Sequence, residues 1–126
     1  MNRGMTDRDR NLALGKLAGV LRGLLDRVRD CRDAWPFNTE TPSGLSLPLI
    51  ANRLREKTLL EKDASAVHYY RSKEMLVADL RLMAQSYRDQ HAEGTDAHTA
   101  ASKFEMFVYE VFEGGGDREQ RVALTH

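Results

Sequence analysis

The sequence predicts an all-α protein, an antiparallel bundle of four helices. Three observations lead there. Apolar residues recur at spacings of three and four over long stretches. All three prolines (Pro36, Pro42, Pro48) fall within thirteen residues, so the regions on either side are free to form long helices. No alternating apolar–polar run of useful length marks a strand, and no repeat or low-complexity tract is present.

Composition bounds the rest. The chain has 126 residues, 19 Lys+Arg against 19 Asp+Glu, one Cys, and 41% hydrophobic content. That is one domain, and a fold of this size buries roughly two-thirds of its unfolded surface. Zero net charge argues against a protein held on nucleic acid by bulk electrostatics. One Cys excludes a disulfide framework and a cysteine zinc cluster. The longest apolar region, Leu12 to Leu25, is broken by Lys16 and Arg22 and is too short to span a bilayer. The N-terminus lacks the pattern of a secretory signal, so a soluble intracellular protein is expected.

The first helix is expected from about residue 9 to 33. Its seam is Leu14, Leu17, Leu21, Leu24, Val28 and Cys31, which makes Cys31 a buried apolar thiol. Gly15, Gly19 and Gly23 form a ladder opposite that seam, either tolerated surface glycines or a site of close helix approach. Trp35 to Ser46 reads as an ordered loop. Ser46 can then cap a second helix, with Pro48 in its first turn and Leu47, Ile50 and Leu54 buried. Residues 57–70 form a long polar connection with some helical character. A third helix spans about Ser72 to Gln90, with Met75, Leu76, Leu80 and Met83 inside. Gly94 breaks the chain, and Thr95 or Asp96 caps a fourth helix carrying Ala97, Ala100, Ala101, Phe104, Phe107, Val108 and Val111. Gly114-Gly115-Gly116 ends it. The expected organisation is a flexible N-terminus (1–8), the bundle (9–113) and a flexible tail (114–126). In an up-down bundle the first and third connections share one end, which is where a site is expected.

The residues then resemble a known family. A long first helix ending in Asp33-Ala34-Trp35-Pro36-Phe37 resembles the bromodomain family, whose first loop opens with a Trp-Pro-Phe shelf. Leu45-Ser46-Leu47 leading to Ile50-Ala51-Asn52-Arg53-Leu54 looks like that family's second helix. Tyr69-Tyr70, followed by Ala78-Asp79-Leu80-Arg81-Leu82-Met83, is similar to the entry and body of its third. The resemblance covers roughly residues 10 to 113, in order.

The resemblance implies a left-handed four-helix bundle that reads acetylated lysine on histone or other protein peptides. It also implies a nuclear, chromatin-associated binding module with other chromatin proteins as partners. No enzyme activity, cofactor, metal, membrane or direct nucleic-acid contact is expected. The implied pocket residues are Trp35, Pro36, Phe37, Thr41, Tyr87, Gln90, His91 and Ala97. Acetylation removes the lysine charge, so the side chain can be buried, but its carbonyl still needs a donor.

The sequence departs from the family at that donor. The usual Asn falls on His91, and the Tyr before it on Gln90. Tyr87 stands where the family often has a smaller residue, so it is expected to fill part of the pocket, and the gating position is the small Ala97. Only seven residues separate Phe37 from Leu45, so most of the opposing wall is missing. A neutral imidazole keeps one N–H donor for the carbonyl, and the other reading of His91 is a solvated or pocket-filling ring. His91 and His98 lack the carboxylate spacing of a metal site. Asp89, Glu93 and Asp96 lie near the same end, suited either to attracting a basic tail or to solvation. Two readings stay open: an acetyl-lysine reader with an altered pocket, and a degenerate bromodomain serving as an interaction scaffold through helix faces or the 57–70 insertion.

Overall fold

The computed structural model describes residues 7–60 and 69–113. In chain order it shows α1 (Asp7–Arg29), a 3-10 helix (Arg32–Asn38), α2 (Leu47–Leu60), α3 (Lys73–Arg88) and α4 (Asp96–Glu113). There is no strand among the described residues, and none of their helices is long and apolar enough to cross a membrane. The protein is an all-α bundle.

α1 begins two residues earlier than expected and ends four residues earlier, at Arg29. There the hydrogen bonds tighten: the Asp30 N–H is shared between Asp26 O and Arg27 O, and the Cys31 N–H reaches Val28 O at 3.1 Å. A 3-10 helix follows with Pro36 inside it, and the missing Pro36 N–H cannot carry an α-helical hydrogen-bond ladder through this segment. Cys31 therefore lies beyond the α1 seam, packed against the core but only half-buried. It is the N-cap of the 3-10 helix, where Sγ accepts the Asp33 N–H at 3.4 Å. Burial pushes its thiol pKa up, the Asp33 N–H opposes this, and the Asp33 charge adds to it. The buried centre of α1 is Ala18, Leu21, Leu25 and Val28, while Leu14, Leu17 and Leu24 flank it half-buried.

α2 follows its expected chemistry. Ser46 Oγ accepts the Leu49 N–H at 3.2 Å, Pro48 sits in the first turn, and Leu47, Ile50 and Leu54 are buried. Arg22 of α1 donates to Leu54 O at 3.1 Å, tying the two helices. Of the expected insertion, residues 57–60 extend α2. Residues 61–68 lie outside the described residues, as do 1–6 and the tail 114–126.

Ser72 caps α3 by accepting the Met75 N–H at 3.2 Å. Its buried stripe is Leu76, Leu80, Met83 and Ala84. Met75, expected inside, is 41% exposed because it lies one residue, about 100° of helix rotation, off that stripe. Thr95 caps α4, accepting the His98 N–H at 3.2 Å. α4 buries Ala100, Ala101, Phe104, Val108, Val111 and Phe112. Phe107 is only partly buried at the core margin.

Polar contacts lock the helices to one another. Asp79 Oδ2 accepts from Arg53 at 2.9 Å and from the Tyr70 hydroxyl at 2.8 Å. Arg53 also lies 4.1 Å over the Tyr69 ring. Glu105 of α4 accepts from Arg88 at 2.7 Å, Gln85 at 3.1 Å and Arg81 at 3.2 Å, all on α3. Lys73 at the start of α3 donates to Phe112 O near the end of α4, at 3.2 Å. These pairings make α3 and α4 antiparallel.

Candidate functional site

The first connection closes on the C-terminal end of α3. Pro36 and Phe37 turn inward from the 3-10 helix, while Trp35 faces solvent and is 54% exposed. Phe37 is completely buried. Its ring lies 4.5 Å from Phe104 and 5.5 Å, edge to face, from Tyr87. Tyr87 in turn packs on His91, with centroids 4.4 Å apart. Phe37, Tyr87 and His91 form one continuous aromatic run, and Tyr87 and His91 are each half-buried.

The short loop is held by a polar knot. Thr41, 5% exposed, donates its hydroxyl to Leu45 O at 2.9 Å. That leaves Ser43 as the donor in the 2.8 Å Thr41–Ser43 hydroxyl contact. The Leu45 N–H donates to Ser43 Oγ at 3.2 Å, and Gly44 supplies a φ of +85° to close the turn. The knot is fastened to α3: the Ser43 N–H donates to Ser86 Oγ at 3.3 Å, and Ser86 donates onward to Met83 O at 3.0 Å. Thr41 thus shapes the loop rather than facing an open space.

Of the expected pocket residues, Phe37, Tyr87 and His91 come together. Pro36 is buried in the 3-10 helix. Trp35 and Gln90 point to solvent, and Ala97 is half-buried in the first turn of α4. The turn after α3 is set by Gln90 N–H to Tyr87 O at 3.1 Å and His91 N–H to Arg88 O at 3.0 Å. The Tyr87 hydroxyl and an imidazole N–H of His91 are the side-chain donor groups that this run carries. Ser43, Ser86 and Phe104 were not expected at the site. The Pro42-Ser43-Gly44 turn signal hinted at the first, but a serine inside a helix carries no sign of a distant loop partner.

A cavity of about 460 Å³ lies elsewhere, between α3 and α4, lined by Val77, Arg81, Met106 and Tyr109 among others. It includes none of the expected pocket residues. Among the described residues, no group of three His, Cys, Asp or Glu could hold a metal ion.

No family model matches the chain, and no solved structure matches it. The chain is 29% identical over 96 residues to histone acetyltransferase GCN5 of Oryza sativa subsp. japonica. The matched stretch is 73% of this chain and 18% of that protein, so the chain corresponds to a small part of its relative's length. What the comparisons support is therefore similarity between an all-helical chain and one segment of a histone-modifying enzyme.

Proposed function

We propose that residues 9–113 form a divergent bromodomain, a nuclear, chromatin-associated module that binds acetyl-lysine on histone or other protein peptides and is not itself an enzyme. One observation carries this reading most. Phe37 of the Trp35-Pro36-Phe37 segment packs on Tyr87 and Tyr87 on His91, so this segment and an imidazole lie at one end of the bundle. The relative supports it too, since a histone acetyltransferase generates the modification that such a module would read. In this reading His91 donates to the acetyl carbonyl. A misaligned donor would cost about 1–3 kcal/mol.

The second reading, a bromodomain-like scaffold with no acetyl-lysine binding, draws support from the complete burial of Phe37. Titration separates the two. Acetylated histone peptides are expected to shift NMR signals of residues 35–45 and 87–97, while unmodified peptides are not. Silence across a broad acetylated peptide array would leave the scaffold reading standing. Unchanged binding by His91→Ala would remove the donor role from His91.

A further inference from the structure

Phe37 has no surface open to a ligand, although its place at the loop end makes it the apolar wall of the proposed pocket. Two rings cover it. Phe104 is itself completely buried in α4, among core residues, and cannot withdraw without opening the core. Tyr87 is different. It stands in the last turn of α3, is half-buried, and is held against Phe37 and His91 by ring contacts. The ring already meets solvent on one side, and a change of side-chain rotamer breaks no backbone hydrogen bond.

We infer that Tyr87 is a self-supplied plug: its ring occupies the place an incoming acyl-lysine needs against Phe37, and ligand entry requires it to swing out. Tyr87 is then the specificity-determining residue of the site. It weakens every ligand by the cost of its own displacement and sets the size of acyl group the opened site accepts. This rests on the proposed site at the loop end, but it concerns access to Phe37 rather than the histone mark. Breaking the edge-to-face contact corresponds to about a two- to tenfold loss of affinity.

The test uses the whole chain and two probes. N-methylacetamide, an amide the size of the acetyl-lysine head, reports access, and acetylated histone peptides report reading. Tyr87→Val is expected to bind N-methylacetamide about two- to tenfold more tightly than wild type, with shifts at Phe37 and Phe104, while Tyr87→Phe behaves like wild type. In the wild-type protein, saturation with N-methylacetamide is expected to abolish the Phe37–Tyr87 nuclear Overhauser contact. That second measurement stands even if Tyr87→Val fails to fold. Equal probe affinity in a folded Tyr87→Val variant, or an intact Phe37–Tyr87 contact with probe bound, would overturn the plug. A variant that admits the probe while neither protein binds any acetylated peptide would uphold the plug and reject the acetyl-lysine reading.

Discussion

The Tyr70 hydroxyl donates to Asp79 Oδ2 at 2.8 Å from a ring only 2% exposed, and Arg53 reaches the same carboxylate oxygen at 2.9 Å. One acceptor thus joins α2, the segment entering α3, and α3 itself. Burial pushes the Tyr70 hydroxyl above its usual range, with the Arg53 hydrogen bond opposing and Asp79 adding to the shift, which favours the protonated donor.

Tyr70→Phe removes a hydrogen bond to a charged acceptor and should destabilise the fold by about 1.5–3 kcal/mol. Asp79→Ala should cost at least as much, because it leaves the half-buried Arg53 without its carboxylate. Urea denaturation of both variants checks this. A Tyr70→Phe midpoint equal to wild type would show that the bond contributes nothing.

Glu105 makes stability depend on acid. Burial alone would raise its pKa, but hydrogen bonds from Arg88, Gln85 and Arg81 outweigh that and hold it below the ordinary 4.5. A carboxylate with a depressed folded pKa stabilises the fold above its unfolded value. That contribution is lost as pH falls through the folded value. Wild-type stability should therefore fall below about pH 4.5, and Glu105→Gln should lose part of that slope. Parallel stability curves for the two proteins from pH 6 downward, roughly to pH 3, would exclude Glu105 as the source.

Glycine substitutions should split by position. An added Cβ at Gly15 or Gly23 meets nothing within 4 Å, so alanine at either should stabilise α1 by about 0.5–1 kcal/mol. Gly44 has φ +85°, and alanine there should cost about 1–2 kcal/mol. Thermal melts should show these opposite signs. If the triple Gly15, Gly19 and Gly23→Ala variant became more stable yet lost mass in solution, the glycine face of α1 would be a self-association surface.

Ser86→Ala cuts the fastening between loop and α3. The expected result is faster hydrogen exchange at the Ser43 amide, with a stability loss of about 0.5–1.5 kcal/mol. Unchanged exchange at Ser43 would mean that the loop holds its shape through Thr41 and Leu45 alone.

Local signals were readable wherever local chemistry decides structure. Ser46 with Pro48, and Ser72 and Thr95 at their helix starts, are caps whose partners lie three residues on. The stripe of α2 follows directly from its spacing. Where α1 stops was not readable from its own periodicity, since the apolar spacing continues to Cys31. The 3-10 helix that replaces its last turn contains Pro36, which has no N–H for an α-helical ladder, and packs Phe37 inward against Phe104. The same limit applies to the site. Tyr87 against Phe37 and Ser43 against Ser86 are pairings between distant parts of the chain, and neither partner carries a local mark of the other. That Tyr87 would fill part of the pocket was legible in its size, but the complete burial of Phe37 was not.

Lys73 gives the α3–α4 pair a second fastening, at the end opposite its short connection. Glu105 grips the middle of the pair, and Lys73 satisfies a carbonyl in the last turn of α4. A hairpin joined by few residues and tied at both ends closes small loops as it forms, so its entropy cost is low. It should be the last unit to open. In native-state hydrogen exchange, the central amides of α3 and α4 should share one slow, cooperative opening, while those of α2 exchange through a smaller one.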